Sequence, residues 1–259
     1  DAGAGGLCVA LVHEGVELRR AGIDAPILVL SEQPPDAASV IVSNDLTPTV
    51  YTDGFIDALA AVALAAGRSD RPVHVKVDTG TQRVGAQPEA VTALVERIGD
   101  HSPTLRLGGV FTHLAVADEP GDEFTALQLG RFDEVLTTLG LAEDVAVHAA
   151  NSAGALAHPA ARRSFVRAGI AVYGISPGHG VDDLCHYLRP ALSLRARVSF
   201  VKTVRAGSRI SYGLRHTFDR DTTVATVPIG YADGVPRRLS STGGDVLIAG
   251  RRRPIVGVV

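Results

Sequence analysis

The sequence contains no methionine and no tryptophan among its 259 residues, and lysine is nearly absent. Lys76 and Lys202 are its two lysines, so the other 23 of its 25 basic residues are arginines. Any reaction that needs a lysine amine must use one of these two residues or a group outside the chain. Because the initiator methionine is missing, we do not expect the chain to begin at a translation start.

Several features that mark other classes of protein are missing too. No apolar run reaches the roughly 18 residues of a membrane span, and no secretion signal opens the chain. The net charge is −3, and apart from Arg251–Arg253 no basic run occurs, which argues against nucleic acid as a partner. Cys8 and Cys185 lie far apart and match no metal-binding spacing, so we expect a reduced, cytoplasmic protein without a metal site.

Short apolar runs alternate with helical patterns through the first two-thirds of the chain. Val91, Leu94, Val95 and Ile98, for example, recur at the spacing of a helix. The runs themselves are apolar throughout, as is typical of parallel strands buried on both faces. They are Leu7–Val12, Ile27–Ser31, Leu46–Tyr51, Val73–Thr79, Leu105–Leu114, Asp144–Ser152 and Phe165–Ile175. This alternation predicts an α/β fold, either a doubly wound sheet or a (β/α)₈ barrel.

The number of runs favours the barrel. A closed TIM-type barrel has eight strands, and the seven runs start close to the N-terminus, so we expect that the first strand of the barrel has been removed. We assign the barrel to residues 1–184 and an all-β domain to 185–259, where β-rich runs show no helical period. These runs are Leu192–Val204, Ser208–Gly213, Thr222–Ile229 and Val246–Val259. Because the chain ends inside an apolar run, we expect this domain to be truncated as well.

Polar side chains gather at the carboxyl ends of the predicted strands, where barrel enzymes build their active sites. They are Lys76, Asp78, Thr79, Thr112, His113, His148, Asn151, Ser152 and Arg167, with Gly169 beside the last. A single Asn, Ser or Thr at such a position is often only a helix cap, but the whole set predicts a site. The ends at 151–152 and 167–170 follow the last two strands, the usual phosphate position of this fold, and predict a phosphorylated ligand.

Three further positions leave more than one interpretation open. Arg167 lies within an apolar run and needs a partner, for which His113 is the candidate. Lys76 is a Schiff-base amine, a carbamylated lysine, or part of a structural ionic contact with Asp78 or Arg83. Tyr212 and Tyr231 each stand beside glycine at a strand end, where packing or turn formation is the usual role.

Six segments, in order along the whole chain, resemble alanine racemase, a pyridoxal-phosphate enzyme. They are Val-Lys-Val-Asp-Thr-Gly with Arg-Val-Gly, Val-Phe-Thr-His-Leu-Ala with Ala-Asp-Glu, His-Ala-Ala-Asn-Ser-Ala, Val-Arg-Ala-Gly-Ile-Ala-Val-Tyr-Gly, Ile-Ser-Tyr-Gly and Ile-Gly-Tyr-Ala-Asp-Gly. The resemblance implies an N-terminal (β/α)₈ barrel and a C-terminal β domain. It also implies interconversion of L- and D-alanine, which supplies D-alanine for peptidoglycan.

The resemblance assigns roles to individual residues. It implies a cofactor-binding set of Asn151, Ser152, Arg167, Gly169, Ile170 and His113. Within this set, Ser152 and the backbone at Gly169 and Ile170 hold the phosphate of pyridoxal 5′-phosphate, with Asn151 beside them. Arg167 hydrogen-bonds the pyridine nitrogen, and His113 links Arg167 to Tyr212.

The remaining roles concern the substrate and the second subunit. Tyr212 is the catalytic base contributed to the neighbouring subunit, so the resemblance implies a homodimer with shared active sites. Arg83 contacts the substrate side and is oriented by Lys76 as a carbamate, and Tyr231 lines the substrate entrance.

The chain departs from the family at several points. The family's Schiff-base lysine lies in a motif like Lys-Ala-Asp-Ala-Tyr-Gly-His-Gly, which is absent here, as are a Met-Asp motif and a later phosphate-binding tyrosine. Thr81-Gln82 stands where many members carry Met-Gly or Leu-Asn. We therefore expect this polypeptide alone not to racemise alanine.

Two other functions stay open, and so does the substrate. A metal-dependent hydrolase could use a carbamylated Lys76 with His113 and His148 as metal ligands, although Arg167 stands where such an enzyme needs an acid. A barrel protein could instead bind pyridoxal phosphate without catalysis. Within the racemase interpretation, serine is not excluded as a substrate.

Overall fold

The computed structural model describes residues 3–258. The chain divides into two compact units: the first ends at Ala191 and the second begins at Leu192. In the described part of the chain, no helix combines the length and the apolar character that crossing a bilayer requires.

The first unit alternates strands and helices. Its elements are β1 (Leu7–Val9), α1 (Val12–Arg20), β2 (Ile27–Val29), α2 (Ala38–Ser43), β3 (Thr49–Val50), α3 (Asp53–Ala65), β4 (Arg71–Lys76), α4 (Val91–Asp100), β5 (Leu105–Phe111), α5 (Phe124–Leu139), β6 (Ala146–His148) and α6 (Ser152–Ala157). Short 3₁₀ helices lie at Pro35–Ala37, Pro88–Ala90, Pro159–Ala161, Ile170–Tyr173 and His179–Leu184.

All the strand pairs of the first unit are parallel. β1 pairs with β2, and β3 to β6 form a sheet in sequence order. A parallel bridge between Leu28 and Thr47 continues the pairing from β2 towards β3. Each strand therefore lies beside its neighbour in the chain, with a helix in the connection, which is the βα arrangement of a TIM-type barrel. The predicted fold class is confirmed.

The helices cover the outside of this sheet because each has one apolar face. In α4, Val91, Leu94 and Ile98 are buried, as their spacing predicts. Thr52 is the N-cap of helix α3, and its hydroxyl accepts a hydrogen bond from the amide of Phe55 at 3.4 Å. The apolar core lies between these helices and the strands.

One predicted strand is not formed. The run Phe165–Ile175 has no regular secondary structure up to Gly169 and then enters the 3₁₀ helix Ile170–Tyr173. The amide of Ser164 bonds the carbonyl of Val147 at 2.9 Å, and the amide of Arg167 bonds the carbonyl of Ala150 at 2.9 Å. These two bonds hold the segment beside β6 without making a ladder. The strand prediction was wrong here because the amide of Gly169 turns to a side chain, Ser152, instead of a neighbouring strand.

A shift of register separates the two halves of the β4–β5 pair. Val73 lies opposite Leu107, whereas the next residue, His74, lies opposite Gly109, so Gly108 is an extra residue in β5. A Cβ at Gly109 would stand 2.6 Å from the His74 ring. The absence of a side chain at this position lets an imidazole fit between the strands.

The second unit is built of short antiparallel pairs. Its strands are β7 (Phe200–Val204), β8 (Arg209–Ile210), β9 (His216–Thr217), β10 (Thr222–Thr226), β11 (Asp245–Ile248) and β12 (Arg251–Pro254). β7 pairs with β10, β8 with β9, and β11 with β12. Each predicted β-rich run contains a strand, and 3₁₀ helices occur at Tyr212–Leu214, Tyr231–Asp233 and Arg237–Ser240.

Candidate active site

The candidate site lies at the carboxyl ends of β4, β5 and β6 in the first unit. Lys76 is the last residue of β4, Thr112 follows β5 directly, and Asn151 and Ser152 follow β6. Parallel neighbouring strands end at the same edge of a sheet, so side chains that are distant in sequence meet there. The apolar run of each strand fills the core, and its polar last residues face this edge.

Arg167 is a buried charge of the site, with 8% of its surface exposed. Its Nη2 donates to the carbonyls of Thr112 at 2.7 Å and Ala149 at 3.0 Å, and its Nη1 contacts Nδ1 of His148 at 2.6 Å. The guanidinium also lies 5.1 Å from the centre of the Phe111 ring. Among the described residues no carboxylate forms an ion pair with it. Backbone carbonyls and an imidazole therefore hold a buried cation.

The contact between Arg167 and His148 sets the direction of a short hydrogen-bonded chain. A guanidinium can only donate, so Nδ1 of a neutral His148 accepts and its Nε2 carries the proton. That Nε2 lies 3.0 Å from Nδ1 of His74, which therefore accepts in turn. Burial, followed by the charge of Arg167, lowers the pKa of His148 far below its usual range. Burial lowers the pKa of His74 to about 4, so both rings are neutral at neutral pH.

The structure corrects one predicted partner. The imidazole in contact with Arg167 is that of His148, whereas the His113 side chain makes no hydrogen bond to any residue that the structure describes. His113 instead lines a cleft together with Lys76 and Arg83. Burial lowers its pKa to about 4, and the positive charges of Arg167, Lys76 and Arg83 act in the same direction. A link from His113 to Tyr212 stays a prediction.

Lys76 is buried at the end of β4, with 4% of its surface exposed. Its Nζ reaches the carbonyl of Leu30 at 3.4 Å and lies 5.5 Å from the centre of the Phe111 ring. Asp78 makes no ion pair with it; its Oδ1 instead accepts hydrogen bonds from the amides of Gly80 and Gln82 at 2.9 and 3.1 Å. The interpretation of Lys76 as an ion-pair partner of Asp78 was therefore wrong.

The environment of Lys76 disfavours its charged form. Burial lowers the pKa of the amine to about 8, and the charges of Arg83 and Arg167 contribute in the same direction, against the opposing effect of Asp78. At pH 7 about a tenth of this amine is therefore unprotonated, far more than for an exposed lysine, and the unprotonated amine is the form that reacts as a nucleophile.

Ser152 collects backbone donors from the segment that follows Arg167. Its Oγ accepts hydrogen bonds from the amides of Gly169 at 2.8 Å and Ala171 at 3.3 Å. Asn151 is the N-cap of α6: its Oδ1 accepts from Gly154 N at 2.9 Å, and its Nδ2 donates to the carbonyl of Leu114 at 3.2 Å. The predicted capping role of Asn151 is thus present. One hydroxyl and adjacent amides converge at one point, a donor set that suits a phosphate.

The two tyrosines predicted for the site belong to the second unit. Tyr212 is 85% exposed and Tyr231 is 64% exposed, with the guanidinium of Arg237 lying 5.6 Å from the Tyr231 ring centre. Ser211, which precedes Tyr212, has φ 66° and ψ −178°, a region that residues with a side chain rarely adopt. Its Oγ donates to the carbonyl of Val258 at 3.2 Å and accepts from the amide of Val258 at 3.0 Å.

The metal-centre interpretation finds little support in these contacts. No group of three or more His, Cys, Asp or Glu side chains suited to a metal ion occurs within residues 3–258. Both ring nitrogens of His148 are engaged, one with Arg167 and one with His74, so this histidine has no lone pair left for a metal.

Sequence reasoning missed two residues of the site. His74 is the polar member of an apolar strand, and that interruption was a usable signal. Gln128 is fully buried on α5, where it interrupts an apolar helix face four residues after Phe124. A polar side chain on a buried face needs hydrogen-bond partners, so its position already pointed to a network.

Comparisons with known proteins cover the whole chain. The family described as "Alanine racemase, N-terminal domain" matches residues 1–177, and the family "Alanine racemase, C-terminal domain" matches residues 191–259. The alanine racemase of Symbiobacterium thermophilum is 47% identical over 100% of this chain and 68% of its own length. Alanine racemase 1 of Bacillus subtilis is 40% identical over 99% of this chain and 65% of its own length. The chain thus spans about two thirds of the length of these relatives.

Solved structures give the same picture. Alanine racemase from Streptomyces coelicolor A3(2) superposes with a TM-score of 0.88 at 36% identity, covering 99% of this chain and 69% of that one. A histidine racemase from Leuconostoc mesenteroides superposes with a TM-score of 0.85 at 29% identity, covering 100% of this chain and 69% of that one. Proteins with this architecture therefore include racemases of different amino acids.

Proposed function

The chain belongs to the alanine racemase family, and on that premise we propose that the protein interconverts L-alanine and D-alanine with pyridoxal 5′-phosphate as its cofactor. The cofactor, when bound, withdraws electrons from the substrate Cα so that the proton on this carbon becomes acidic. The residues of this chain hold the reactants, exclude water, and move that proton.

The observation that carries the proposal is the environment of Arg167. A buried guanidinium held by two carbonyls and His148, without a carboxylate among the described residues, is a fixed donor. Its pKa of about 10 keeps it protonated at neutral pH. Such a group donates a hydrogen bond to a pyridine nitrogen without transferring its proton, which moderates the electron withdrawal by the ring.

The phosphate of the cofactor fits the donor set around Ser152. The hydroxyl of Ser152 and the amides of Gly169 and Ile170 are the proposed phosphate contacts, with Asn151 fixing the start of α6 beside them. The amides of Gly169 and Ala171 already converge on the Ser152 hydroxyl, so this segment presents its donors at one place.

Racemisation requires a proton to leave one face of Cα and return on the other, so two bases are needed. We assign one face to the phenol oxygen of Tyr212, and the family takes the other base from its cofactor-bearing lysine. Tyr212 is exposed on the second unit, which suits a base donated to the site of a neighbouring subunit in a homodimer. Tyr231, also exposed, is assigned to the substrate entrance, and His113 to the neighbourhood of the cofactor and Tyr212.

Arg83 is the proposed contact to the substrate side, and Lys76 is proposed to orient it as a carbamate. Arg83 and Lys76 line the same cleft, and the positive charge of Arg83 helps to depress the pKa of the amine. The unprotonated amine would add to the carbon of carbon dioxide, forming an N–C bond as one C=O π bond opens, and the nitrogen would release a proton to solvent, so the resulting carbamate carries a negative charge. Carbamylation would therefore turn the repulsion between these two side chains into attraction.

The biological role that follows is the supply of D-alanine for peptidoglycan in the cytoplasm. Alanine is the proposed substrate because the curated relatives are alanine racemases. Serine and histidine are the comparison substrates, since serine adds a hydroxyl to the same carbon frame and a histidine racemase shares the architecture.

The first test uses the full gene product loaded with pyridoxal phosphate in D₂O. We expect the Cα proton of L-alanine to exchange and D-alanine to appear, both requiring the cofactor, and both faster than with serine or histidine. Proton NMR and chiral chromatography measure the two results. A cofactor-loaded protein that leaves the α-proton of alanine untouched would contradict the proposal, and zinc-dependent hydrolysis would favour the metal-centre alternative.

The second test concerns the shared site. Chains carrying Tyr212→Phe and chains carrying Arg167→Gln are coexpressed, so that mixed dimers form. If each site combines Arg167 of one subunit with Tyr212 of the other, one site of each mixed dimer is intact, and about a quarter of all sites regain activity. No activity above that of the separate variants would mean that the sites are not shared.

A further inference from the structure

The side of helix α5 that faces the candidate site carries one buried amide. Gln128 is 0% exposed. Its Nε2 donates to the hydroxyl of Thr79 at 3.1 Å and to the carbonyl of His113 at 3.1 Å, and its Oε1 accepts from the amide of Ala115 at 2.8 Å. One side chain thus ties the segment after β4 to the segment after β5.

The same contacts continue beyond Gln128. The hydroxyl of Thr79 lies 2.7 Å from that of Thr112, and the carbonyl of Thr79 accepts from Nη1 of Arg131, which is one helical turn beyond Gln128, at 2.9 Å. The hydroxyl of Thr81 donates to the carbonyl of His113 at 2.5 Å. We call Gln128, Arg131 and Thr79 the α5 clamp, because together they hold both segments against the helix.

The clamp matters because of what these two segments carry. The first continues to Arg83, and the second contains His113, and both side chains line the cleft with Lys76. The imidazole of His113 has no hydrogen-bonded partner among residues 3–258, so no hydrogen bond of its own ring fixes its place. Its position depends on its backbone, whose carbonyl is held by Gln128 and Thr81.

We propose that Gln128 is a positioning residue for the reaction, which sets the place of His113 and of the loop bearing Arg83 through the His113 carbonyl and the Thr79 hydroxyl. The inference rests on the proposed function as far as it concerns catalysis. The positioning of His113 itself can be measured without any activity.

The test compares substitutions on one helix and in one contact. Gln128→Leu keeps the volume of the side chain and removes its donors and acceptor. Thr125→Val is the matched control: Thr125 is on the same helix, is equally buried, and its hydroxyl has no partner in the described part of the chain. Thr79→Val removes the hydroxyl that Gln128 contacts, whereas Thr79→Ser keeps a hydroxyl at this position.

In the holoenzyme we expect Gln128→Leu and Thr79→Val to lower kcat about 10- to 100-fold, because small displacements of reacting groups have effects of this size. Thr125→Val and Thr79→Ser should retain the kcat of the unmodified enzyme. Melting temperatures are recorded for all four variants. Equal losses of kcat in Gln128→Leu and Thr125→Val, or a Gln128→Leu enzyme with full kcat and a lower melting temperature, would overturn the inference.

A second readout is independent of catalysis. The pKa of His113 is followed by NMR through its ring protons, with Arg167, Lys76 and Arg83 as the charged groups that face it. Loosening the α5 clamp should expose the His113 ring and raise the pKa of His113 towards about 6.5. We expect this in Gln128→Leu and in Thr79→Val, but not in Thr125→Val or Thr79→Ser. If Gln128→Leu does not fold, Thr79→Val is compared with Thr79→Ser instead. An unchanged pKa of His113 in Thr79→Val would contradict the positioning role of Gln128. An inactive unmodified holoenzyme would instead count against the proposed function.

Discussion

The two units of this chain place their polar groups in opposite ways. The first unit buries Lys76, His148 and Arg167 beneath strand ends, and the apolar core cluster of the described residues lies entirely within it. In the second unit Phe218 is the buried apolar side chain of the described part, and Tyr212 is largely exposed. Burial shifts the pKa values of the first set, whereas most of the Tyr212 side chain faces solvent.

This contrast predicts that substitutions in the two units affect stability and activity differently. A substitution in the buried set should change both the free energy of unfolding and the reaction, because the same contacts serve both. A substitution at Tyr212 should change the reaction alone.

Removing the phenol of Tyr212 is expected to have the largest effect on the reaction. Tyr212→Phe should lower the kcat of the holoenzyme about 10²- to 10⁴-fold, the range for loss of a general base, and should leave the melting temperature unchanged. Tyr187→Phe is the matched control, since Tyr187 is 83% exposed. A Tyr212→Phe enzyme with full kcat would remove this residue from the mechanism.

Removing the guanidinium of Arg167 should affect stability as well. Arg167→Leu deletes charge-assisted hydrogen bonds to two carbonyls and an imidazole, each worth about 1.5–3 kcal/mol, but it also removes the desolvation cost of a buried charge, which offsets part of that loss. We expect the free energy of unfolding to fall by about 3 kcal/mol, together with a loss of activity. The control Arg163→Leu breaks a surface pair with Asp133 and should cost about 1 kcal/mol or less. Urea unfolding measures both, and equal costs would mean that the burial of Arg167 is unimportant.

Adding a side chain beside the His74 ring should lower the free energy of unfolding of the first unit and leave the second unit unchanged. Gly109→Ala places a methyl group 2.6 Å from the His74 ring and should lower the free energy of unfolding by about 1–3 kcal/mol. Adding His74→Ala should recover part of this loss, so that the two effects are not additive in a double-mutant cycle. Gly99→Ala is the control, because nothing lies within 4 Å of a Cβ there. Additive effects would show that the glycine does not serve the imidazole.

Acid should weaken the first unit before the second. The unfolded chain protonates His74, His113 and His148 near pH 6.5. The folded chain resists protonation because the pKa values of His74 and His113 are about 4 and that of His148 is lower still. Stability is therefore complete above about pH 6.5 and falls below it, by about 1.4 kcal/mol per pH unit for each histidine. Urea titrations from pH 7 to about pH 5 measure the slope, which His74→Leu should reduce and His13→Gln, at an exposed site, should not.

Much of the first unit follows from its sequence. Apolar runs without alternation predicted parallel strands, and the polar ends of those runs identified Lys76, His113, Ser152 and Arg167 before any contact was known. The histidine that meets Arg167 could not be chosen in this way, because the choice depends on register. Gly108 is an extra residue in β5, and it sets which residues of β5 lie opposite His74 and the rest of β4. The hydrophobic pattern of the sequence does not predict this extra residue.

The end of the barrel shows a second reason for failure. The run Phe165–Ile175 has the composition of a strand, but the Ser152 hydroxyl takes the amide of Gly169 and turns the chain. Such competition between a side chain and a ladder is a tertiary effect. The role of Tyr212 came from the family resemblance alone, since a tyrosine next to a glycine carries no chemical signal of its own.

The glycines at 108 and 109 also predict how these positions vary among related sequences. The space that admits the His74 ring is made by the absence of a side chain at 109 on the facing strand. A Cβ at 109 would meet the His74 ring at 2.6 Å and the carbonyl oxygen of Ala146 at 2.9 Å, so a smaller residue at 74 would relieve the closer of these two contacts. In an alignment of relatives, we expect positions 74 and 109 to covary, while position 99 drifts independently of both.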